Sequence, residues 1–126
     1  MKPGHNTTTT QEIATRFNEL AQQEKWFEIQ DDFFSDGVKS IEPYGSPYFP
    51  QLTEGKATVR NKAEAFVSKI TALHHASTTT AVVAGNHFAV GRELDITVEG
   101  FGRIQINQIM MYEVNDGKIV SEQFFY

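Results

Sequence analysis

The sequence predicts a single α+β domain, a cone in which three N-terminal helices pack on a strongly curved, mostly antiparallel sheet. Three observations support this fold class. Helical periodicity is confined to the first half of the chain, long β-branched runs fill the second half, and the turn signals "EGFG" and "NDGK" divide those runs. Helices and strands that are segregated along a chain are typical of α+β proteins. A chain of 126 residues is long enough to bury one core.

Three segments predict the helices. The first runs from Thr9 to Gln23, with apolar residues spaced by four, three and one, and Thr9 is a suitable N-cap. The second is short and aromatic, begins at Trp26 and is expected to end at the turn signal "SDG". The third begins near Lys56 and carries an apolar stripe along one side.

The strands are predicted from composition and from breaker residues. A strand from Val38 to Glu42 is stopped by Pro43, which has no N–H for a sheet ladder. The segment "PYGSPYFPQLTEG" then predicts a loop, and everything after His74 has β character. The aromatic residues of the loop are unusual for a solvated segment and suggest a lid or pocket lip: Tyr44, Tyr48 and Phe49.

Alternation along the predicted strands 88–98 and 104–114 places two polar residues, Arg92 and Gln108, on otherwise apolar inner faces. If Val98 pairs with Ile104 across the turn, Arg92 lies opposite Met110. Gln108 is then the neighbouring inward-facing residue on the same strand as Met110. These polar groups are therefore expected to converge in a deep apolar cavity closed by the helices, which is the usual form of a small-molecule site.

The outer face of the strand that carries Gln108 has an apolar centre. Ile109 and Met111 lie there between the polar residues Asn107 and Glu113. An exposed sheet face of this kind predicts a homodimer contact.

Composition excludes several function classes. The net charge of −5 without a basic run argues against nucleic-acid binding, and no apolar run reaches the ~20 residues of a membrane span. There are no cysteines and no metal or nucleotide motif, so neither a metal nor a cofactor is expected. A cytoplasmic protein is predicted, with residues 1–8 as a disordered arm and residues 9–126 as the domain.

The order helix, helix, strand, loop, the helix "EGKATVRNKAEAF" and a meander ending "DGKIVSEQFFY" resembles the nuclear transport factor 2-like superfamily. Within it the chain is most similar to SnoaL-like polyketide cyclases and ketosteroid isomerase-like proteins, from about Gln11 to Tyr126. The resemblance implies a cystatin-like cone. It also implies a cofactor-free isomerase, cyclase or lyase that acts on a small apolar carbonyl compound. A non-catalytic ligand-binding or dimeric scaffold protein of the same fold is the alternative.

Two acids are implied as catalytic by this resemblance. The segment "FFSDGVKSIEP" places Glu42 on the catalytic base of the isomerases, and "SEQFFY" places Glu122 near the acid of the cyclases. A two-residue loop at "NDGK" would turn Gln123 inward, whereas a three-residue loop with a glycine bulge would turn Glu122 inward.

The other isomerase groups do not match. The tyrosine that the isomerases carry on their first helix would fall near Arg16, Phe17 or Asn18, none of which is a phenol. The acid that they carry on the penultimate strand would fall near Gln108 to Met110, where the sequence has no acid. Steroid isomerisation itself is therefore not expected.

Further side chains are candidates for substrate contact. Arg92 can bind a substrate carboxylate or pair with an acid of its own chain, and one of His74 and His75 is expected to face the cavity. If Glu42 packs against aromatic rings, its pKa should rise. The predicted binding residues are Phe17, Trp26, Phe34, Tyr44, Phe66, His75, Arg92, Gln108 and Met110.

Overall fold

The three helices begin close to where periodicity places them. In the computed structural model, which describes residues 8–45 and 49–126, α1 spans Thr10–Gln22, α2 spans Trp26–Phe33 and α3 spans Lys56–Ser68. Residues 1–7 of the predicted arm and Tyr48 of the predicted lid lie outside the described residues. None of the described helices is long and apolar enough to cross a bilayer.

A capping box fixes the start of α1. The hydroxyl of Thr9 accepts a hydrogen bond from the backbone N–H of Glu12 at 3.1 Å, and the Glu12 carboxylate accepts one from the backbone N–H of Thr9 at 3.4 Å. Two backbone donors at the helix N-terminus are thereby satisfied. The predicted role of Thr9 as N-cap is confirmed.

The described residues form one sheet of seven strands in the order β2-β1-β7-β6-β5-β3, with β4 paired to β5. The pairing of β1 with β7 is parallel and the other pairings are antiparallel, so the predicted fold class is confirmed. The strands are β1 Phe34–Ile41, β2 Leu52–Glu54, β3 Ile70–Thr78, β4 Val82–Ala84, β5 His87–Val98, β6 Gly102–Asn115 and β7 Lys118–Phe125.

Three predictions about the helices and strands are wrong. The signal "SDG" does not end α2, because Phe34 already has an extended backbone and starts β1. Between Phe34 and Lys39, β1 advances five residues while its partner β7 advances two, from Ile119 to Ser121, so "SDG" lies in a bulge of a strand. The predicted loop also contains the short strand β2, and β3 begins at Ile70 rather than at His74.

The predicted register between β5 and β6 is also wrong. Val98 pairs with Gly102 rather than with Ile104, so Arg92 lies opposite Gln108. The connection is shorter than expected, because the backbone N–H of Phe101 donates to the carbonyl of Val98 at 3.0 Å and closes a tight turn. Gly102 adopts a φ of +85°, which other residues rarely do.

The main core lies between α1, α2 and the strands β1, β5, β6 and β7. The ring of Phe17 is fully buried there, with ring centroids 5.7 Å from Trp26, 5.0 Å from Phe88 and 4.6 Å from Tyr112. A second, smaller cluster lies under α3. Its buried members come from the predicted inner face of β5, which is confirmed: Leu94, Ile96 and Val98.

Phe17→Ala should lower the free energy of unfolding by about 3 to 5 kcal/mol, because it leaves a large cavity among aromatic neighbours. Urea unfolding followed by circular dichroism measures this loss. Phe101→Ala serves as the control, since that ring is 54% exposed, and it should change the stability by no more than about 0.5 kcal/mol. Equal losses in the two variants would contradict this account of the core.

Candidate functional site

A cavity of about 380 Å³ lies between α3 and the end of the sheet where β5 turns into β6. Its walls are largely apolar because the inward side of α3 faces the second core cluster. The rings of Phe49 and Phe66 contact each other here with centroids 5.3 Å apart. The lining residues are Phe49, Lys62, Ala65, Phe66, Lys69, Val98, Phe101 and Ile104.

Lys62 connects this cavity to the strands behind it. The half-buried ammonium group donates a hydrogen bond to the hydroxyl of Ser40 on β1 at 2.7 Å. It also lies 5.4 Å from the ring centroid of Phe124 and 5.9 Å from that of Phe49. Such cation–π contacts stabilise a cation that has lost part of its water.

Glu122 lies directly behind Lys62. In the parallel pairing of β1 and β7 it is the partner of Ser40, which hydrogen-bonds with its carboxylate, and it is only 6% exposed. Burial raises the pKa of Glu122 to about 7, and the charge of Glu42 adds to the rise. The hydrogen bond with Ser40 and the charge of Lys62 act in the opposite direction.

The inward direction of Glu122 results from a bulge rather than from the loop length. The loop is a two-residue turn of Asp116 and Gly117, both with positive φ, which alone would turn Gln123 inward. Further along, Val114 pairs with Ile119 but Glu113 pairs with Ser121, so β7 contains one extra residue. That residue reverses the alternation and places Glu122 opposite the inward-facing Tyr112.

Glu42 is the second buried carboxylate, at 5% exposure. One oxygen, Oε1, accepts a hydrogen bond from the hydroxyl of Tyr126 at 3.3 Å, and Oε2 has no hydrogen-bond partner among the described residues. Burial raises the pKa of Glu42, while the charge of Lys62 and the hydrogen bond from Tyr126 act to lower it. The expected rise in the pKa of Glu42 is confirmed, and the nearby cation is Lys62.

Tyr126 is the aromatic residue that contacts Glu42, and Tyr44 packs against Tyr126. Their rings meet edge to face with centroids 5.9 Å apart. Burial, together with the charge of Glu42, raises the pKa of Tyr126 to about 12, so the phenol remains a hydrogen-bond donor over the whole neutral range. Tyr44 itself is 60% exposed, and the predicted binding residue Phe34 belongs to the main core.

Of the nine predicted binding residues, Phe66 lines the cavity, and the other eight are not among its described lining residues. Phe17, Phe34 and Met110 are buried in the main core, and Trp26 packs against it. Gln108 is half-buried on the inner face of β6 and does not line the cavity. The sequence correctly identifies these side chains as inward-facing, but the helices α1 and α2 fill the space that the prediction leaves open as a cavity.

Arg92 holds α2 against the sheet. Its guanidinium donates to both carboxylate oxygens of Glu24, at 2.8 and 3.2 Å, and stacks 4.5 Å from the ring centroid of Trp26. Burial acts to raise the pKa of Glu24, but the hydrogen bonds from Arg92 and Trp26 outweigh it and lower the pKa. Of the two predicted roles, pairing with an acid of the same chain is confirmed.

His74 and His75 both lie on the outer face of the sheet. His74 hydrogen-bonds with the hydroxyl of Thr97 at 2.8 Å, and His75 lies 3.7 Å from the carboxylate of Glu93. A register shift between Leu73 and His75 interrupts the alternation, so the expectation that one of the two histidines faces the cavity is wrong.

Comparison with known proteins agrees with this architecture. The family model of the SnoaL-like domain matches residues 8–126. A crystal structure from Mesorhizobium loti, of a protein provisionally named a SnoaL-like polyketide cyclase, is similar with a TM-score of 0.87 and 28% identity. That match covers 94% of this chain and 99% of the other.

Two more distant structures show the fold alone. A protein with a cystatin-like fold from Xanthomonas campestris has a TM-score of 0.76 at 19% identity, over 93% of this chain and 89% of its own. A protein with a ketosteroid isomerase-like fold from Catenulispora acidiphila, in complex with trimethylamine, has a TM-score of 0.65 at 18% identity, over 94% and 87%. No curated protein matches the chain. The resemblance predicted from the sequence is confirmed.

The raised pKa of Glu122 predicts a stability that falls as pH rises. From about pH 4.5, the ordinary pKa of a glutamate, to about pH 7, the unfolded chain loses this proton first and the folded state is progressively disfavoured. The accumulated loss is of the order of 3 kcal/mol. Glu122→Gln removes the titration and keeps the shape, so its stability relative to the wild type should increase across this pH window.

Urea unfolding at several pH values, followed by the fluorescence of Trp26, measures this difference. Glu28→Gln, a change at an exposed acid on α2, is the matched control and should leave the pH dependence of the wild type intact. Parallel pH profiles for Glu122→Gln and the wild type would show that Glu122 does not titrate within the protein interior.

Proposed function

Because the chain belongs to the SnoaL-like domain family, we propose that it is a cofactor-free enzyme that moves a proton on a small, apolar carbonyl compound, in an isomerisation, cyclisation or elimination. One observation supports this proposal most strongly. Two buried carboxylates with raised pKa values, Glu42 and Glu122, lie beside Lys62, and the side chain of Lys62 lines an apolar cavity.

Lys62 is suited to hold the carbonyl oxygen of the substrate. An ammonium group has three N–H donors, and Ser40 accepts one of them. When a proton leaves the carbon next to a carbonyl, negative charge moves to the carbonyl oxygen. A fixed cation stabilises that charge more strongly in an apolar cavity than in water.

Glu42 is suited to be the base and Glu122 the acid. The raised pKa of Glu42 strengthens it as a base, and its Oε2 has a lone pair that no described residue engages. Glu122, with a pKa of about 7, holds its proton in a large share of molecules at neutral pH. In an isomerisation, Glu42 takes a proton from one carbon and Glu122 supplies a proton to another, so the proton count of the substrate is unchanged.

Ligand binding without turnover is the competing function, and one observation favours it. Neither Glu42 nor Glu122 is among the described residues that line the cavity. Catalysis therefore requires the reacting carbon to reach past Lys62, whereas binding requires only the walls of the cavity and the ammonium group.

Glu42→Gln distinguishes the two functions. It keeps the shape of the side chain and removes the base, so proton transfer should fall by a factor of about 100 to 10,000 while binding is retained. Proton NMR in D₂O measures the exchange of the α-hydrogens of small ketones, and calorimetry measures their binding. Glu28→Gln is the control and should exchange at the rate of the wild type.

Two results would count against catalysis by Glu42. Exchange at the wild-type rate in Glu42→Gln would show that another group is the base. Binding of ketones by the wild type without any exchange would favour the binding function.

We further propose that the outer face of the sheet forms a homodimer contact. Ile109 and Met111 are 48% and 37% exposed on β6, and Phe125, the partner of Ile109 on β7, is 45% exposed. Asn107 and Glu113 flank this apolar centre, which gives the arrangement of core and rim that is usual in interfaces.

Ile109→Glu should convert a dimer into a monomer, because a charge in the centre of the contact would be buried without a partner. Sedimentation velocity at micromolar concentration measures the assembly state. Val67→Glu is the control, since Val67 is also 48% exposed but lies on α3, which packs on the inner face of the sheet, and it should leave the dimer intact. A wild type that sediments as a monomer would refute the contact.

A further inference from the structure

The cavity between α3 and the sheet carries positive charge at two separate points. Lys62 and Lys69 both line it, and the other six lining residues in the described part of the chain are apolar or aromatic. Acids are absent from the described lining, although the chain as a whole has a net charge of −5. A cavity that combines apolar walls with cations alone complements a ligand that is both apolar and anionic.

Helical geometry sets the separation of the two lysines. Lys62 lies within α3, and Lys69 is the C-cap of the same helix, with a φ of −91° and a ψ of −8° that continue the helical backbone. Seven residues correspond to about two turns, so both side chains leave the same side of the helix about 10 Å apart along its axis. Phe66 lies between them and supplies an aromatic wall.

The surroundings of the two lysines differ. Lys62 is half-buried and lies beside Glu42 and Glu122. These two carboxylates would repel an anionic group of the substrate placed next to Lys62. Lys69 is exposed at the mouth of the cavity, where its backbone carbonyl accepts a hydrogen bond from the N–H of Glu99 in the β5–β6 turn. An anionic group at Lys69 would keep part of its hydration and would lie away from the two buried carboxylates.

On the basis of the function proposed above, we propose that the substrate is an apolar oxo acid. Its reacting carbonyl lies at Lys62 and its carboxylate lies at Lys69, two helical turns further along the same helix. The rings of Phe49 and Phe66 cover the hydrocarbon chain between the two groups. Lys69 is then a specificity-determining residue that selects acids over neutral ketones and takes no part in proton transfer.

Binding of three related probes tests this assignment: 7-oxooctanoate, its methyl ester and 2-octanone. Calorimetry with the wild type should show the acid binding about fivefold more tightly than the ester, which is the strength of a favourable exposed ion pair. Lys69→Met should abolish this preference without changing the affinity for the ester, and Lys69→Glu should reverse it. Lys25→Met is the control for net charge, since Lys25 is exposed at the start of α2, and it should keep the preference of the wild type.

The possible results separate the two proposals. Equal binding of acid and ester by the wild type would overturn the oxo-acid assignment and leave the cavity as a site for neutral carbonyl compounds. A preference for the acid that persists in Lys69→Met would also overturn it, because the carboxylate would then bind elsewhere. Failure of all three probes to bind would overturn this assignment together with the proposed function.

Discussion

The hydrogen bond between Lys62 and Ser40 is the contact on which the site depends. It joins α3, which forms one wall of the cavity, to the parallel pair β1 and β7, which carries the carboxylates. Glu42 and Glu122 are both withdrawn from water, and each raises the electrostatic free energy of the other when charged. The cation of Lys62 offsets part of that repulsion. Without it, no cation of the described residues would act on these two carboxylates, and their pKa values would rise further.

Periodicity predicts the helices and the faces of β5 well, because these features depend on spacing within one continuous element. The pairing register between neighbouring strands is predicted poorly, because it depends on the number of residues between the turn and each paired residue. A bulge that adds an odd number of residues to one strand exchanges the two faces. This happens at His74 and His75 in β3, at "SDG" in β1, and before Glu122 in β7. The tight turn after Val98 likewise displaces the partner of Arg92 by two residues.

The site residues show the same division between local and tertiary information. Glu42 is found through the family resemblance, and its burial agrees with that assignment. Arg92 attracts notice as a charge on an apolar face, but its partner Glu24 lies 68 residues away, and no local pattern predicts that pairing. Lys62 is missed, although the sequence contains a signal for it. It follows Val59 by three residues and precedes Phe66 by four, which places it on the inward stripe of α3.

The bulge in β7 makes the chemistry of this interior depend on the local path of one strand. The same sequence paired without the bulge would keep the turn and every inner side chain of β6, yet it would present Gln123 in place of Glu122. The amide does not ionise near neutral pH, so an ionisable site would become a permanently neutral one. Relatives that share the residues of this site can therefore differ in what they do through the presence or absence of one bulge. An alignment of sequences does not record where a strand bulges and would overlook the difference.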